Sequence, residues 1–165
     1  MGKVLIAYAT KTGTTADAAA MLAKQLTKPF NLYDLSKKPR AAEPDLRAYD
    51  TVVLGTGMYC GRPRRELAAF CLENEALLSG KTLYLFTCGI GSEQEEIGYL
   101  RKELPASVME HITLYRHLGG EIRLDRLGLL ARFGLGQYLK HCEVKPALNG
   151  EVIKALGVAI NQEGE

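Results

Sequence analysis

Four threonines and a glycine, in the run Thr10-Lys11-Thr12-Gly13-Thr14-Thr15, stand where an apolar stretch ends and an alanine-rich one begins. The apolar stretch, residues 3–9, reads as a buried strand, and the stretch after the threonines reads as a helix. The hydroxyls of Thr10, Thr12, Thr14 and Thr15 therefore gather at a helix N-terminus. Amides in that first turn have no intrahelical partners and carry the positive end of the helix dipole. Gly13 allows the backbone to come close to a bound group in a conformation other residues resist. This is the chemistry of a phosphate seat, and it calls for no lysine or arginine side chain. A Walker A loop would need a Gly-Lys-Ser/Thr step, and a dinucleotide fingerprint would need GxGxxG. A cysteine phosphatase would need its nucleophile in the loop, whereas the first cysteine is Cys60. None of the three fits. A threonine-rich helix cap without a ligand is the plain alternative.

Two further loops have the composition of binding elements. One contains Thr56, Gly57, Met58, Tyr59, Cys60 and Gly61; the other contains Thr87, Cys88, Gly89 and Gly91. Each follows an apolar run, at 51–56 and 81–88. The cysteines Cys60, Cys71, Cys88 and Cys142 form no CxxC pair and no metal-ligand spacing. His111, His117 and His141 are scattered, and no base is paired with a nucleophile. The sequence thus names neither a catalytic residue nor a metal ligand.

The elements that position these loops alternate. Residues 3–9, 51–56 and 81–88 are nearly continuous in hydrophobicity, as strands covered on both faces are. Residues 30–35 alternate and suit an edge strand, and residues 111–120 supply a fifth. Between them, Ala19, Leu22, Ala23 and Leu26 share one helical face, and Leu67, Phe70, Cys71 and Leu78 share another, with Pro63 in that helix's first turn. Ser92 is placed to cap a helix with an acidic first turn, and a last helix spans about 150–162. Strands alternating with helices predict a parallel α/β fold, whose ligands bind outside the carboxyl ends of the strands.

A chain of 165 residues with 24% charged and 47% hydrophobic residues suits one soluble domain. A net charge of +2 gives no footing for nucleic acid. With no convincing targeting signal, a reducing cytoplasm is the expected compartment.

Thr10, Thr12, Gly13 and Thr15, directly after the first strand, resemble the T-x-T-G-x-T phosphate loop of the flavodoxins. That resemblance implies a three-layer α/β/α sandwich with a five-stranded parallel sheet in the order 2-1-3-4-5, and FMN as cofactor. It implies that residues 10–15 bind the FMN phosphate and that the other two loops hold the flavin ring. Tyr59 would stack on the ring beside Met58, and Gly57 would let a peptide turn its carbonyl toward the ring as a nitrogen gains a proton. The chain has no tryptophan, where many flavodoxins stack one. Residues 43–70 and 118–134 are similar to the menaquinone-dependent protoporphyrinogen dehydrogenase branch. That branch implies a quinone or small-molecule substrate, whereas an electron carrier would have a redox partner protein. A non-redox phosphate-binding module is the third reading. Arg62, Arg64 and Arg65 follow the second loop. Arg123, Arg126 and Arg132 lie in a segment at about 121–143 that reads as an insertion before the last helix of a single domain spanning 1–165. If helical, it presents Leu124, Leu127 and Leu130 as a stripe suited to a membrane surface or to gripping a carboxylate-bearing substrate.

Overall fold

The computed structural model describes residues 2–37 and 42–163. Five long strands form one parallel sheet: β1 (Val4–Ala9), β2 (Phe30–Asp34), β3 (Thr51–Tyr59), β5 (Thr82–Cys88) and β6 (Ile112–His117). A two-residue strand, β4 (Arg62–Pro63), pairs antiparallel with β3. The sheet order is β2-β1-β3-β5-β6, which is the expected 2-1-3-4-5 once β4 is set aside.

Alternation within the apolar runs divides two cores. Leu5, Ala7 and Ala9 of β1, Val52 and Leu54 of β3, and Leu83 and Leu85 of β5 face one side. There they meet Leu67, Phe70 and Cys71 of α2 (Arg65–Glu73), Leu78 of α3 (Glu75–Leu78), Leu100 of α4 (Glu93–Glu103) and Val108 of α5 (Ala106–Glu110). Val4, Ile6, Val53, Tyr84 and Phe86 face the other side. They pack on α1 (Thr14–Ala23) and α7 (Gly150–Gln162). A continuous hydrophobic run is what a strand buried on both faces requires. At the edge, β2 leaves Phe30, Asn31 and Leu32 exposed.

Several expected boundaries move. The stretch after Thr56 is not a free loop: β3 continues through Gly57, Met58 and Tyr59, with Gly57 opposite Cys88 in the ladder. The chain then reverses at Cys60 and Gly61, with φ of 49° and 74°. Positive φ at both central residues is the geometry of a tight hairpin turn, and Gly61 takes it without strain. Pro63 consequently lies in β4 rather than in a helix. The helix expected through residue 78 is broken at Asn74, which ends α2 and begins α3. Ser92 accepts from the Glu95 amide while Glu95 reaches back to the Ser92 amide, a reciprocal cap that starts α4 as expected.

Between β6 and α7 runs a 3₁₀ turn, Leu124–Arg126, and then α6 (Leu129–His141). The helix forms despite Gly134 and Gly136. Its stripe differs from the expected one. Leu124, Leu127, Ala131 and Leu135 are half-buried, whereas Leu130 is 93% exposed beside Leu129 and Phe133. No residue of α6 is fully buried.

Candidate functional site

All three loops meet at the carboxyl ends of β1, β3 and β5, where the strand order reverses and a crevice must open. The crevice is a cavity of about 600 Å³. Its walls are the threonine loop, the β3–β4 hairpin, the Gly89–Gly91 stretch and the inner face of α6.

The threonine loop is anchored at both ends. Every residue of β1 is buried, and so are Thr14 and Thr15 at the start of α1. Thr10 donates its amide to Ser36 Oγ at 2.6 Å, and its own Oγ1 accepts the Gly13 amide at 3.0 Å. Gly13 takes φ +96° as the cap of α1, a left-handed conformation that a side chain strains. The first intrahelical bond runs from the Asp17 amide to the Gly13 carbonyl, 3.0 Å. The amides of Thr14, Thr15 and Ala16 are therefore left without helical partners. Beside them the Thr14 hydroxyl is buried with no hydrogen-bond partner among the described residues. A buried orphan hydroxyl costs about 1–3 kcal/mol unless something accepts or donates to it. At the mouth of the cavity, this group is suited to an anion.

Two arginines that the sequence assigned to a substrate or membrane surface lie over this loop instead. Arg126 Nη1 donates to the Thr12 carbonyl at 2.7 Å. Arg123 pairs with Asp17 at 2.5 Å and with Glu121 at 2.9 Å, and these carboxylates hold its proton more tightly than usual. A Cβ on Gly13 would collide with the Arg126 guanidinium. The loop is therefore not free of cationic side chains, as its local sequence suggested. The arginines come from more than a hundred residues downstream, and only the fold brings them there.

The second and third loops face each other across the slot. Gly57, Met58, Tyr59, Cys60 and Gly61 line one side, and Cys88, Gly89 and Gly91 line the other. Tyr59 has the Lys11 ammonium over its ring, 3.7 Å from the centroid. Tyr99 of α4 packs against Gly61, where a Cβ would lie 3.0 Å from its ring. Thr56 and Thr87 do not line the cavity. Both are buried beneath it, with Thr56 Oγ1 accepting the Arg64 amide at 2.9 Å and Thr87 Oγ1 bonded to the Tyr115 hydroxyl at 2.9 Å. Gly13 shapes the loop but stands behind the wall. Burial pushes the Cys88 thiol up to about 12, against the lowering effect of its hydrogen bond with Thr15. Cys71 is likewise held up at about 12. Neither is a thiolate at neutral pH.

The sequence reading missed the turn after β6. Gly120 packs so closely on the Gly89 backbone that a Cβ would lie 2.5 Å from its carbonyl oxygen. Gly120, Glu121 and Ile122 form part of the wall and aim Arg123 at the loop. A glycine pair at the carboxyl end of a predicted strand was the available signal.

The flavodoxin domain family, as a sequence profile, matches residues 5–143. No curated protein sequence matches the chain. Among solved structures, a flavoprotein from Lactobacillus acidophilus in complex with FMN superposes with a TM-score of 0.56 at 12% identity, over 71% of this chain and 93% of its own. A flavodoxin from the domain Archaea superposes at 0.55 and 12%, over 98% and 97%. A WrbA-like flavodoxin from Agrobacterium tumefaciens gives 0.52 at 14%, over 96% and 99%. At these identities the likeness is one of fold.

Proposed function

The chain belongs to the flavodoxin domain family, and from that premise we propose that it binds FMN and works as a flavin-dependent oxidoreductase on a small reactant. The observation that carries this reading is the buried, unpartnered Thr14 hydroxyl beside the free first-turn amides. Together they fit a phosphate dianion, with Arg126 nearby as a countercharge. The slot fits a flat ring, since glycine backbone and the sides of Met58 and Tyr59 form its walls. A cavity of about 600 Å³ is in the usual range for a small-molecule site, roughly 300–1,000 Å³.

Bound FMN supplies the electron chemistry, and the protein supplies position and electrostatics. In this reading Thr10, Thr12, Thr14 and Thr15 hold the phosphate by hydroxyls and amides, while Lys11 holds Tyr59 in place. The hairpin at Cys60–Gly61, not Gly57, is where a peptide has the freedom to reorient, because Gly57 is fixed in the ladder. Leu127, Ala131 and Leu135 keep water from the slot.

A protoporphyrinogen dehydrogenase-like activity, with a quinone as acceptor, is the finer proposal. Arg62 and Arg65 support it: both are exposed beside the hairpin, and neither has an ion pair among the described residues. They are suited to a carboxylate-bearing substrate. The α6 wall favours a small reactant over the open docking of an electron-carrier protein. The outer face of α6 fits the surface of a membrane, where quinones reside. Leu129, Leu130 and Phe133 are exposed there, Arg132 and Lys140 lie on the same helix, and its sequence carries no acid.

The test begins with the visible spectrum of the freshly purified protein. Flavin bands that are lost in a Thr12→Val/Thr15→Val variant support FMN. If added FMN never binds the native chain, the reading fails. Oxidation of protoporphyrinogen with a quinone acceptor, weakened by Arg62→Ala and Arg65→Ala with FMN still bound, supports the finer proposal. An FMN-loaded protein inert in that assay, whose reoxidation by a redox protein slows with salt, supports a carrier instead.

A further inference from the structure

Against the third loop lies a polar cluster whose Glu96 also lines the cavity. Glu96, in the first turns of α4, is only 3% exposed, and a carboxylate is rarely so buried unless it is paired. One of its oxygens, Oε2, lies 2.8 Å from His117 Nδ1. The other, Oε1, is buried and has no hydrogen-bond partner among the described residues. That oxygen presses on the loop itself: a Cβ built on Gly89 would come within 2.5 Å of it, and one on Gly91 within 3.3 Å.

The surroundings leave His117 as the group that sets the cluster's charge. From β5, Thr87 Oγ1 lies 3.4 Å from His117 Nδ1, and burial holds the Cys88 thiol up at about 12. From β6, burial raises the Tyr115 phenol, and Arg116 reaches Glu93 of α4 at 3.9 Å. The Tyr115 and Cys88 side chains therefore stay neutral at physiological pH, and Glu93, at the far end of its contact with Arg116, adds to the pull on the His117 proton. The hydrogen bond that His117 donates to Glu96 holds it above its ordinary value, against the opposing effect of burial.

We infer that Glu96 and His117 form a proton-holding pair that responds to the redox state of a flavin ring seated on the Gly89–Gly91 loop. The inference rests on the FMN reading. A ring that took two electrons and one proton from its reactant would carry one uncompensated negative charge. His117 takes a proton from solvent, and the pair passes from net negative to neutral. On reoxidation the two electrons would pass to the acceptor, and the ring and His117 would each release a proton to solvent. Glu96 lines the cavity and presses on Gly89 and Gly91, and His117 is a positioning residue that acts through it.

The chain has three histidines, so the His117 ring resonance is identified by its loss in His117→Gln. The FMN-loaded protein is titrated by NMR, oxidised and then dithionite-reduced under argon. The His117 midpoint rises by about one pH unit on reduction, a roughly tenfold gain in proton affinity. By the same linkage, the potential of bound FMN falls more steeply with pH between the two midpoints than it does in His117→Gln. Glu96→Gln, which is isosteric, lowers the oxidised midpoint of His117. A midpoint that agrees in both redox states to about 0.1 unit overturns the inference while leaving FMN binding intact. A native chain that binds no FMN removes the premise, and the inference falls with it.

Discussion

The threonine loop and the α6 segment face each other across one cavity, yet the fold holds them by different means. The loop lies between a strand with no exposed residue and a helix whose first two residues are buried. Its shape is set by the same packing that builds the sheet. The α6 segment contributes no fully buried residue. It is tied down by half-buried leucines and by polar contacts, chiefly Arg123 with Asp17 and Arg126 with the Thr12 carbonyl. One wall is a consequence of the core. The other is an attachment that can change without unfolding it. Low local burial is what allows a segment to open at small cost.

The sharpest way to break this contrast is Gly13→Val. A β-branched residue at φ +96° is strained, and its Cβ collides with Arg126. FMN binding, followed by quenching of flavin fluorescence, is expected to weaken about 100-fold. Retained binding would show that the loop is not the anchor.

Thr14→Val separates binding from stability. It removes a hydroxyl that has no partner within the chain, so FMN binding weakens about tenfold while the FMN-free protein gains up to about 1 kcal/mol in urea unfolding. A loss of stability without loss of affinity would make the hydroxyl structural.

Arg126→Ala tests the attachment. Affinity for FMN falls a few-fold and depends less on salt than in the native chain, while unfolding free energy stays within about 0.5 kcal/mol. A large loss of stability would mean that α6 belongs to the core after all.

The buried pair gives a pH dependence in the FMN-free protein. The His117 pKa is raised in the folded state by Glu96. Its contribution to stability is therefore complete below the unfolded value, about 6.5, and is lost as pH rises through the raised one. Urea unfolding at about pH 6 and pH 8 should show this decline in the native chain and a flatter profile in His117→Gln.

The smallest expected effect on stability is at the outer face of α6. Leu130→Lys and Phe133→Ser change residues that are 93% and 73% exposed, and unfolding is expected to shift by less than about 0.5 kcal/mol. Sedimentation with vesicles containing anionic lipid should nevertheless fall, and unaltered sedimentation would remove the membrane proposal.

The contrast between the two walls is also a contrast in what can be read along the chain. Buried strands announce themselves as apolar runs, and Ser92 with Glu95 marks a helix start, because those interactions join near neighbours. The Thr10–Thr15 loop was legible for the same reason: its hydroxyls and first-turn amides lie within six residues. The hairpin was less so, since whether Gly57 to Tyr59 forms a loop or a strand depends on β4 and Cys88 pairing with it. Leu127 and Leu130 look alike along the chain until the cavity takes Leu127 and leaves Leu130 on the outer face. The arginines over Gly13, the buried Glu96 against Gly89 and the removal of Thr56 and Thr87 from the cavity wall came from the tertiary structure alone. Each depends on groups far apart in the chain meeting across the sheet's carboxyl edge, and no local spacing encodes that meeting.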